Sequence, residues 1–363
     1  MKKILSSLCG LLSVTMLLAA CGKVDPKNCK HEMHDEAAVC TACGKTLSHT
    51  FSDGKCTVCG KSTPFLWESI AQDETLMSAI KAGAKQTGTI EKIVYETPAY
   101  NIEALTGEQK TIEKEAYVYL PYGYSTEKEY DLLILLHGST DSEGYWFAQE
   151  DYDAFNLGVY YNTGNLTKEL LDFLIEQGKM KPTIVVTPTL YNEHENDQTE
   201  NKVVTKQLGK ELTGALLPYL AEHYATYAKG TGKEDLIAAR DHFAYCGFSM
   251  GGFTGMDSIL SYCLPYFSYV GTFSGGSTDV ETTIAGINRD CETYPIRYWY
   301  SSCGKLDGTV KFDSAKETYK ATLKGVPSLK EGENTSFVAI AGANHTYECS
   351  LTALYNALQV FFR

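Results

Sequence analysis

The chain has 363 residues, 44% of them hydrophobic, 21% charged and 12% aromatic, a composition that builds a globular core and excludes collagen, coiled coil and disordered tail. Lys+Arg 32 against Asp+Glu 45 gives a formal charge of −13, with no basic block to neutralise phosphates, so nucleic acid is not an expected partner. One segment alone is apolar enough to meet a bilayer, at the extreme N-terminus, which excludes a polytopic membrane protein.

In chain order, Met1-Lys2-Lys3 is a positive n-region, and Ile4 to Leu18 is an apolar stretch broken by Ser6, Ser7, Ser13 and Thr15. It falls short of the ~18 clean apolar residues of a membrane span. It closes on Leu18-Ala19-Ala20-Cys21, which reads as a secretory leader over residues 1–20 with the look of a bacterial lipobox, Cys21 being the acylated residue. Lipid would then hold an acidic body at a membrane, outside the cytoplasm, because each buried methylene contributes about 0.8 kcal/mol. No charge attraction to anionic lipid helps.

Residues 21–63 hold a repeat in which His precedes Cys-x-x-Cys-Gly-Lys: Cys29-Lys-His31 before Cys40-Thr-Ala-Cys43, then His49 before Cys56-Thr-Val-Cys59. Thiolate pairs at this spacing suit tetrahedral Zn²⁺, and so short a segment needs metal to fold. Two ligand partitions are open. One is a single ribbon of Cys40, Cys43, Cys56 and Cys59; the other is Cys29, His31, Cys40 and Cys43, followed by His49, Cys56, Cys59 and one further ligand. Disulfides are the competing chemistry in an exported chain. The zinc is structural, and the segment is read as a spacer or docking module.

From residue 64 to 363 short apolar runs alternate with amphipathic ones. Strands are expected at Ala116–Leu120, Leu132–His137, Thr183–Thr187, His242–Phe248, Tyr269–Phe273, Arg297–Ser302 and Ser336–Ala341. Helices are expected at Thr167–Gln177, Thr205–Ala225, Met250–Ser261, Ser314–Leu323 and Leu351–Phe362. Fully apolar strands separated by helices predict an α/β, doubly wound, mostly parallel sheet whose site lies beyond the C-terminal strand ends.

One such end carries Gly247-Phe248-Ser249-Met250-Gly251-Gly252, a Gly-x-Ser-x-Gly between strand and helix that pushes a hydroxyl over the sheet edge. A Ser hydroxyl needs a base to become a nucleophile. In the order Ser, acid, His the base is forced: of eight His residues, His345 alone follows Ser249. Asp307, just past the strand Arg297–Ser302, is the preferred acid, with Asp279 as runner-up. Oxyanion donors are expected at the Met250 amide and, from the loop His137-Gly138-Ser139-Thr140, at the Ser139 amide. His137 itself braces that loop. Tyr145, Trp146 and Tyr191 either stack on an aromatic acyl group or sugar, or pack in the core. Cys303 and Cys349 flank the acid and base in sequence, a spacing that permits a bridge.

Val118-Tyr-Leu-Pro-Tyr-Gly-Tyr124, Leu135-Leu-His-Gly138, Val185-Val-Thr-Pro-Thr189, Tyr245-Cys-Gly-Phe-Ser-Met-Gly-Gly252 and Gly342-Ala-Asn-His345 together resemble the carbohydrate-esterase family of feruloyl and acetyl xylan esterases, the esterase D-like group. The likeness runs from about Gly88 to Phe362. It implies an α/β-hydrolase fold, places Ser249, Asp307 and His345 as nucleophile, acid and base, and implies hydrolysis of acyl esters on plant-wall polysaccharide through an acyl-enzyme, with no cofactor. That family often continues His-Gly with more Gly, where this chain has Ser139-Thr140. The alternatives are an acyltransferase of the same superfamily, which would exclude water, and an inactive hydrolase fold serving as a binding scaffold.

Overall fold

The computed structural model describes residues 29–30, 39–43, 45, 51–52, 55–56, 58–59, 67–147, 165–192 and 200–363. Eight strands form one sheet: β1 Thr89–Pro98, β2 Thr111–Leu120, β3 Asp131–Leu136, β4 Thr183–Pro188, β5 Phe243–Phe248, β6 Tyr269–Phe273, β7 Tyr298–Gly304 and β8 Thr335–Ile340. Their order is β8-β7-β6-β5-β3-β4-β2-β1. β3 to β8 run parallel, and β2 and β1 turn antiparallel at one edge.

The parallel strands β3 to β7 are buried along their whole length because helices cover both faces. Side-chain alternation splits them between two cores. Leu132, Ile134 and Leu136 join Leu208, Leu212, Met256 and Ile259 on one face. Leu133 and Leu135 join Leu170, Leu174, Leu351 and Leu354 on the other. Parallel pairing brings the C-terminal ends of β3 to β8 to the same rim.

Seven strands stand at the expected places to within five residues, β2 starting at Thr111 rather than Ala116 and β6 matching at both ends. β1 has no counterpart in the expectations, and neither do the helices Glu74–Lys81, Tyr100–Thr106, Lys233–Ala238 and Val280–Asp290. β1 alternates exposed and buried residues as an edge strand with one wet face, so it has no continuous apolar run to announce it. Two expected helices are not α throughout. The one starting at Val204 widens into a π turn at Leu212–Leu216, just before Pro218 removes a backbone donor; the one starting at Met250 does so at Gly255–Leu260. At Gly255 a Cβ would lie 2.8 Å from Thr272 Cγ2, so the wide turn sits close against β6. Among the described residues no helix is long and apolar enough to cross a membrane.

Candidate active site

Ser249 leaves β5 with φ 53° and ψ −115°, and the helix Met250–Thr254 begins at the next residue. Small neighbours make that turn possible. A Cβ on Gly247 would lie 2.3 Å from the Gly251 carbonyl oxygen, and a Cβ on Gly251 would lie 2.7 Å from the His137 oxygen. The turn is tied from both sides: Ser249 N–H donates to the Phe273 carbonyl at 2.8 Å, and Gly251 N–H to the His137 carbonyl at 3.1 Å. Ser249 Oγ is thereby held at the rim.

His345, on the loop between β8 and the helix Tyr347–Leu358, brings Nε2 to 2.9 Å from Ser249 Oγ and Nδ1 to 2.7 Å from Asp307 Oδ2. The carboxylate accepts only, so Nδ1 carries the proton; Nε2 of the neutral ring is then the acceptor for the serine hydroxyl. The ring stacks on Phe248 at 4.6 Å, and Phe248 stacks on Tyr145 at 5.9 Å.

Asp307 is buried and fully partnered. Oδ1 accepts the Thr309 and Val310 amides at 3.0 Å each, and Oδ2 faces His345 and, at 3.7 Å, the Cys303 thiol. Burial alone would raise its pKa. Hydrogen bonds from His345 and Val310 and the imidazole's charge outweigh that and hold the carboxyl below its ordinary range. Asp279 stands apart from the site and caps the helix Val280–Asp290, accepting the Thr282 amide at 3.1 Å.

The loop after β3 lies directly against the serine, since a Cβ on Gly138 would be 3.1 Å from Ser249 Cβ. His137 is wholly buried. Its Nδ1–H donates to the Gly138 carbonyl at 2.6 Å and its Nε2 accepts the Leu190 amide at 3.0 Å. Desolvation pushes its pKa down to about 3, so it stays neutral, a brace for the loop. The backbone donors of the 137–140 loop and the serine turn divide into two kinds. Thr140 N–H is used by Tyr191 Oη and Gly251 N–H by His137, whereas the Ser139 and Met250 amides make no hydrogen bond among the described residues.

The structure links Ser249, His345 and Asp307 in one hydrogen-bonded chain and sets Gly138, the neighbour of Ser139, against Ser249. Tyr145, Trp146 and Tyr191 are buried at 3%, 0% and 2% exposure, which settles them as packing residues rather than an open stacking platform. Cys303 and Cys349 are buried thiols with no bridge, and burial pushes both up to about 12. The hydroxyl contact of Tyr191 and the buried pair Lys114–Glu211 behind it were not anticipated; neither carries a motif, and only tertiary contact reveals them.

In the N-terminal segment Cys29, Cys40 and Cys43 place their sulfurs within 4.8 Å of one another, with Cys29 and Cys40 at 3.6 Å. Cys59 does not belong to this group. The leader, Cys21, His31, His49 and the Cys56 side chain lie outside the described residues.

A mostly parallel eight-stranded sheet with a serine on a strained strand-to-helix turn, answered by an Asp–His pair from the later loops, defines an α/β-hydrolase. Residues 111–281 match the family model described as Esterase. The chain is similar to endo-1,4-beta-xylanase Y of Acetivibrio thermocellus, 26% identical over 313 residues, covering 83% of this chain and 26% of that protein. It is also 26% identical over 240 residues to the endo-1,4-beta-xylanase/feruloyl esterase of Xylanibacter ruminicola, covering 64% and 28%. The chain thus spans about a quarter of the length of these curated relatives. A mutant of the feruloyl esterase module from Clostridium thermocellum, complexed with sinapinate, has the same fold, with a TM-score of 0.60 and 24% identity over 78% of this chain and 92% of that one.

Proposed function

We propose that the domain removes feruloyl or acetyl groups from xylan-type polysaccharide by a serine mechanism. The observation that carries this is the hydrogen-bonded chain from Asp307 through His345 to Ser249, beside two uncommitted amides. The names of the xylanase and feruloyl esterase relatives support the substrate class.

In this reading Ser249 Oγ attacks the ester carbonyl while His345 Nε2 takes its proton, and Asp307 orients and stabilises the imidazolium. The Met250 and Ser139 amides receive the oxyanion, each contributing roughly 2.7–4 kcal/mol to barrier lowering. His345 then gives the proton to the departing sugar hydroxyl. Water, activated by the same nitrogen, releases the acid from the acyl-enzyme, and no cofactor takes part.

The test is Ser249→Ala against wild type on methyl ferulate, p-nitrophenyl acetate and feruloylated xylo-oligosaccharide. A loss of about 10⁴-fold or more in kcat is expected with folding intact. Wild type without hydrolysis would leave a binding scaffold, and ester formation on an added acceptor sugar with little free acid would make the protein an acyltransferase.

The reading extends to the N-terminus, where a lipidated Cys21 tethers the domain outside the cytoplasm. Zn²⁺ held by Cys29, Cys40 and Cys43 with a fourth ligand such as His31 folds the intervening segment. Thiolates at Zn–S bonds of about 2.3 Å in a tetrahedron stand roughly 3.8 Å apart, which the Cys29–Cys40 separation of 3.6 Å fits. One zinc lost with Cys40→Ser, without change in esterase rate, is the expected metal analysis. Acyl labelling that persists in Cys21→Ala would refute the anchor.

A further inference from the structure

The residue that follows the expected oxyanion donor is held in a conformation its side chain opposes. Thr140 has φ 67°, in the left-handed region that a β-branched residue rarely enters and that glycine adopts freely. Such a conformation persists only where its surroundings over-determine it, and here the surroundings are specific. Thr140 N–H donates to Tyr191 Oη at 3.2 Å, and that hydroxyl in turn donates to Asn201 Oδ1 at 2.8 Å. The Tyr191 ring is buried, its centroid 6.0 Å from that of His137. One residue earlier, the Leu190 amide fixes His137 Nε2, while His137 Nδ1–H holds the Gly138 carbonyl.

Two consecutive residues on the loop leaving β4 therefore grip both ends of the turn 137–140. Between the grips lie Gly138, in contact range of Ser249, and Ser139, whose amide is uncommitted among the described residues. If φ at Thr140 relaxed to negative values, the Ser139–Thr140 peptide would turn and displace the adjoining unit that carries the Ser139 N–H.

We propose that the Tyr191 hydroxyl is a positioning residue of the ester hydrolysis: it locks Thr140 in a glycine-like conformation and so aims the Ser139 amide at the oxyanion. This rests on the reading of Ser249 as nucleophile and Ser139 as donor. It also accounts for how this chain keeps a threonine where the resembling family often has glycine. The hydroxyl replaces conformational freedom with a hydrogen bond.

The experiment is a double-mutant cycle on the full chain with Tyr191→Phe, Thr140→Gly and both together. Tyr191→Phe keeps the ring and removes the hydroxyl with its bonds to Thr140 and Asn201. It is expected to lower kcat about tenfold with KM within about twofold, the effect of a misaimed rather than a deleted donor. Thr140→Gly alone is the reference of the cycle, since it removes the side chain that opposes the observed φ. The double variant should recover to within about threefold of wild type, because glycine needs no external lock. Affinity for an aryl boronic acid, which places an oxygen in the oxyanion position, should fall and return in parallel.

Wild-type kcat in Tyr191→Phe overturns the proposal, and so does a double variant no better than Tyr191→Phe, which would mark a merely structural hydroxyl. Should Tyr191→Phe not fold, Asn201→Ala, which removes the acceptor that orients the hydroxyl, must lower kcat and be rescued by Thr140→Gly; no loss overturns the proposal equally. Activity surviving in Ser249→Ala would instead refute the underlying mechanism, so the two failures are told apart.

Discussion

Replacing Asp307 by Asn changes one atom and tests the whole proton path. The Oδ1 side of the carboxylate accepts two amides, from Thr309 and Val310, at 3.0 Å each. An asparagine must put its carbonyl oxygen there, because the opposite orientation would set its NH₂ against the two amide donors that Asp307 now satisfies. The NH₂ then faces His345 Nδ1, where Asp307 Oδ2 now sits at 2.7 Å. A donor at that place forces Nδ1 to accept, so the ring proton moves to Nε2, 2.9 Å from the serine oxygen, and no base remains for the hydroxyl. The expected loss is about 10⁴-fold in kcat at neutral pH, or about 5 kcal/mol of barrier. Hydrolysis of p-nitrophenyl acetate and methyl ferulate, with thermal melting as the control for folding, measures it. A folded Asp307→Asn enzyme within tenfold of wild type at pH 7 would refute the tautomer argument and the role given to Asp307.

His137 supplies a pH dependence of stability. Its pKa falls from the ordinary 6.5 when unfolded to about 3 in the fold, so below pH 6.5 the unfolded chain takes a proton that the folded chain refuses. Its contribution is complete above pH 6.5 and is lost as the pH drops toward 3, amounting to about 2 kcal/mol at pH 5. Urea unfolding at pH 7 and pH 5 should show this fall in wild type and a flatter curve in His137→Gln; equal slopes would contradict the assignment. Lys114 Nζ lies 2.8 and 2.9 Å from the Glu211 carboxylate oxygens and 2.8 Å from the Thr189 carbonyl, with both side chains buried. Lys114→Met leaves the carboxylate with only Tyr95 and Asn192 near it and should cost about 3–5 kcal/mol in denaturant titration, most of it recovered in Lys114→Met/Glu211→Leu. Gly251→Ala places a Cβ 2.7 Å from the His137 oxygen and 2.9 Å from the Leu136 oxygen, both backbone. The serine turn and the 137–140 loop must then part, so kcat should fall about 10²-fold or more, and an unchanged rate would show the contact to be soft.

The sheet was legible where burial is two-sided. Leu132 to Leu136 and Thr183 to Thr187 are continuous apolar or β-branched runs because helices cover both of their faces. β1 was not legible, since it turns Ile93 and Tyr95 inward between exposed Glu91, Lys92, Val94 and Glu96 and reads as a mixed surface stretch. The serine turn announced itself because glycine is required at contacts as short as 2.3 Å. His345 followed by elimination. Position after a strand put Asp307 ahead of Asp279, and tertiary contact separates them: one reaches His345 at the sheet rim while the other folds back to cap its own helix. Lys114 looks in sequence like one more solvent charge on an alternating strand; its partner is 97 residues away. The positioning role of Tyr191 gave no signal in one Tyr among 25, for it depends on a backbone angle at Thr140.

Backbone strain in this molecule has an address. Among the described residues five that are not glycine have positive φ, namely Thr140, Ser249, Ser274, Lys311 and Phe362, and the first four surround the site. Thr140 follows β3, Ser249 follows β5 and Ser274 follows β6, while Lys311 follows the loop whose amides hold Asp307. The cause is geometric. Parallel strands end together, and each chain must bend sharply at the rim to leave room for a ligand while its amides still find partners. Ser274 N–H reaches the Ser302 carbonyl at 2.8 Å, and Ser249 N–H reaches Phe273 across the neighbouring strand end. Strands buried along their full length supply the rigidity that keeps such turns from relaxing. The turns that place the Ser249 hydroxyl and the Asp307 carboxylate would be unstable on a softer frame, so the fully buried parallel strands are as much a part of the proposed site as Ser249 itself.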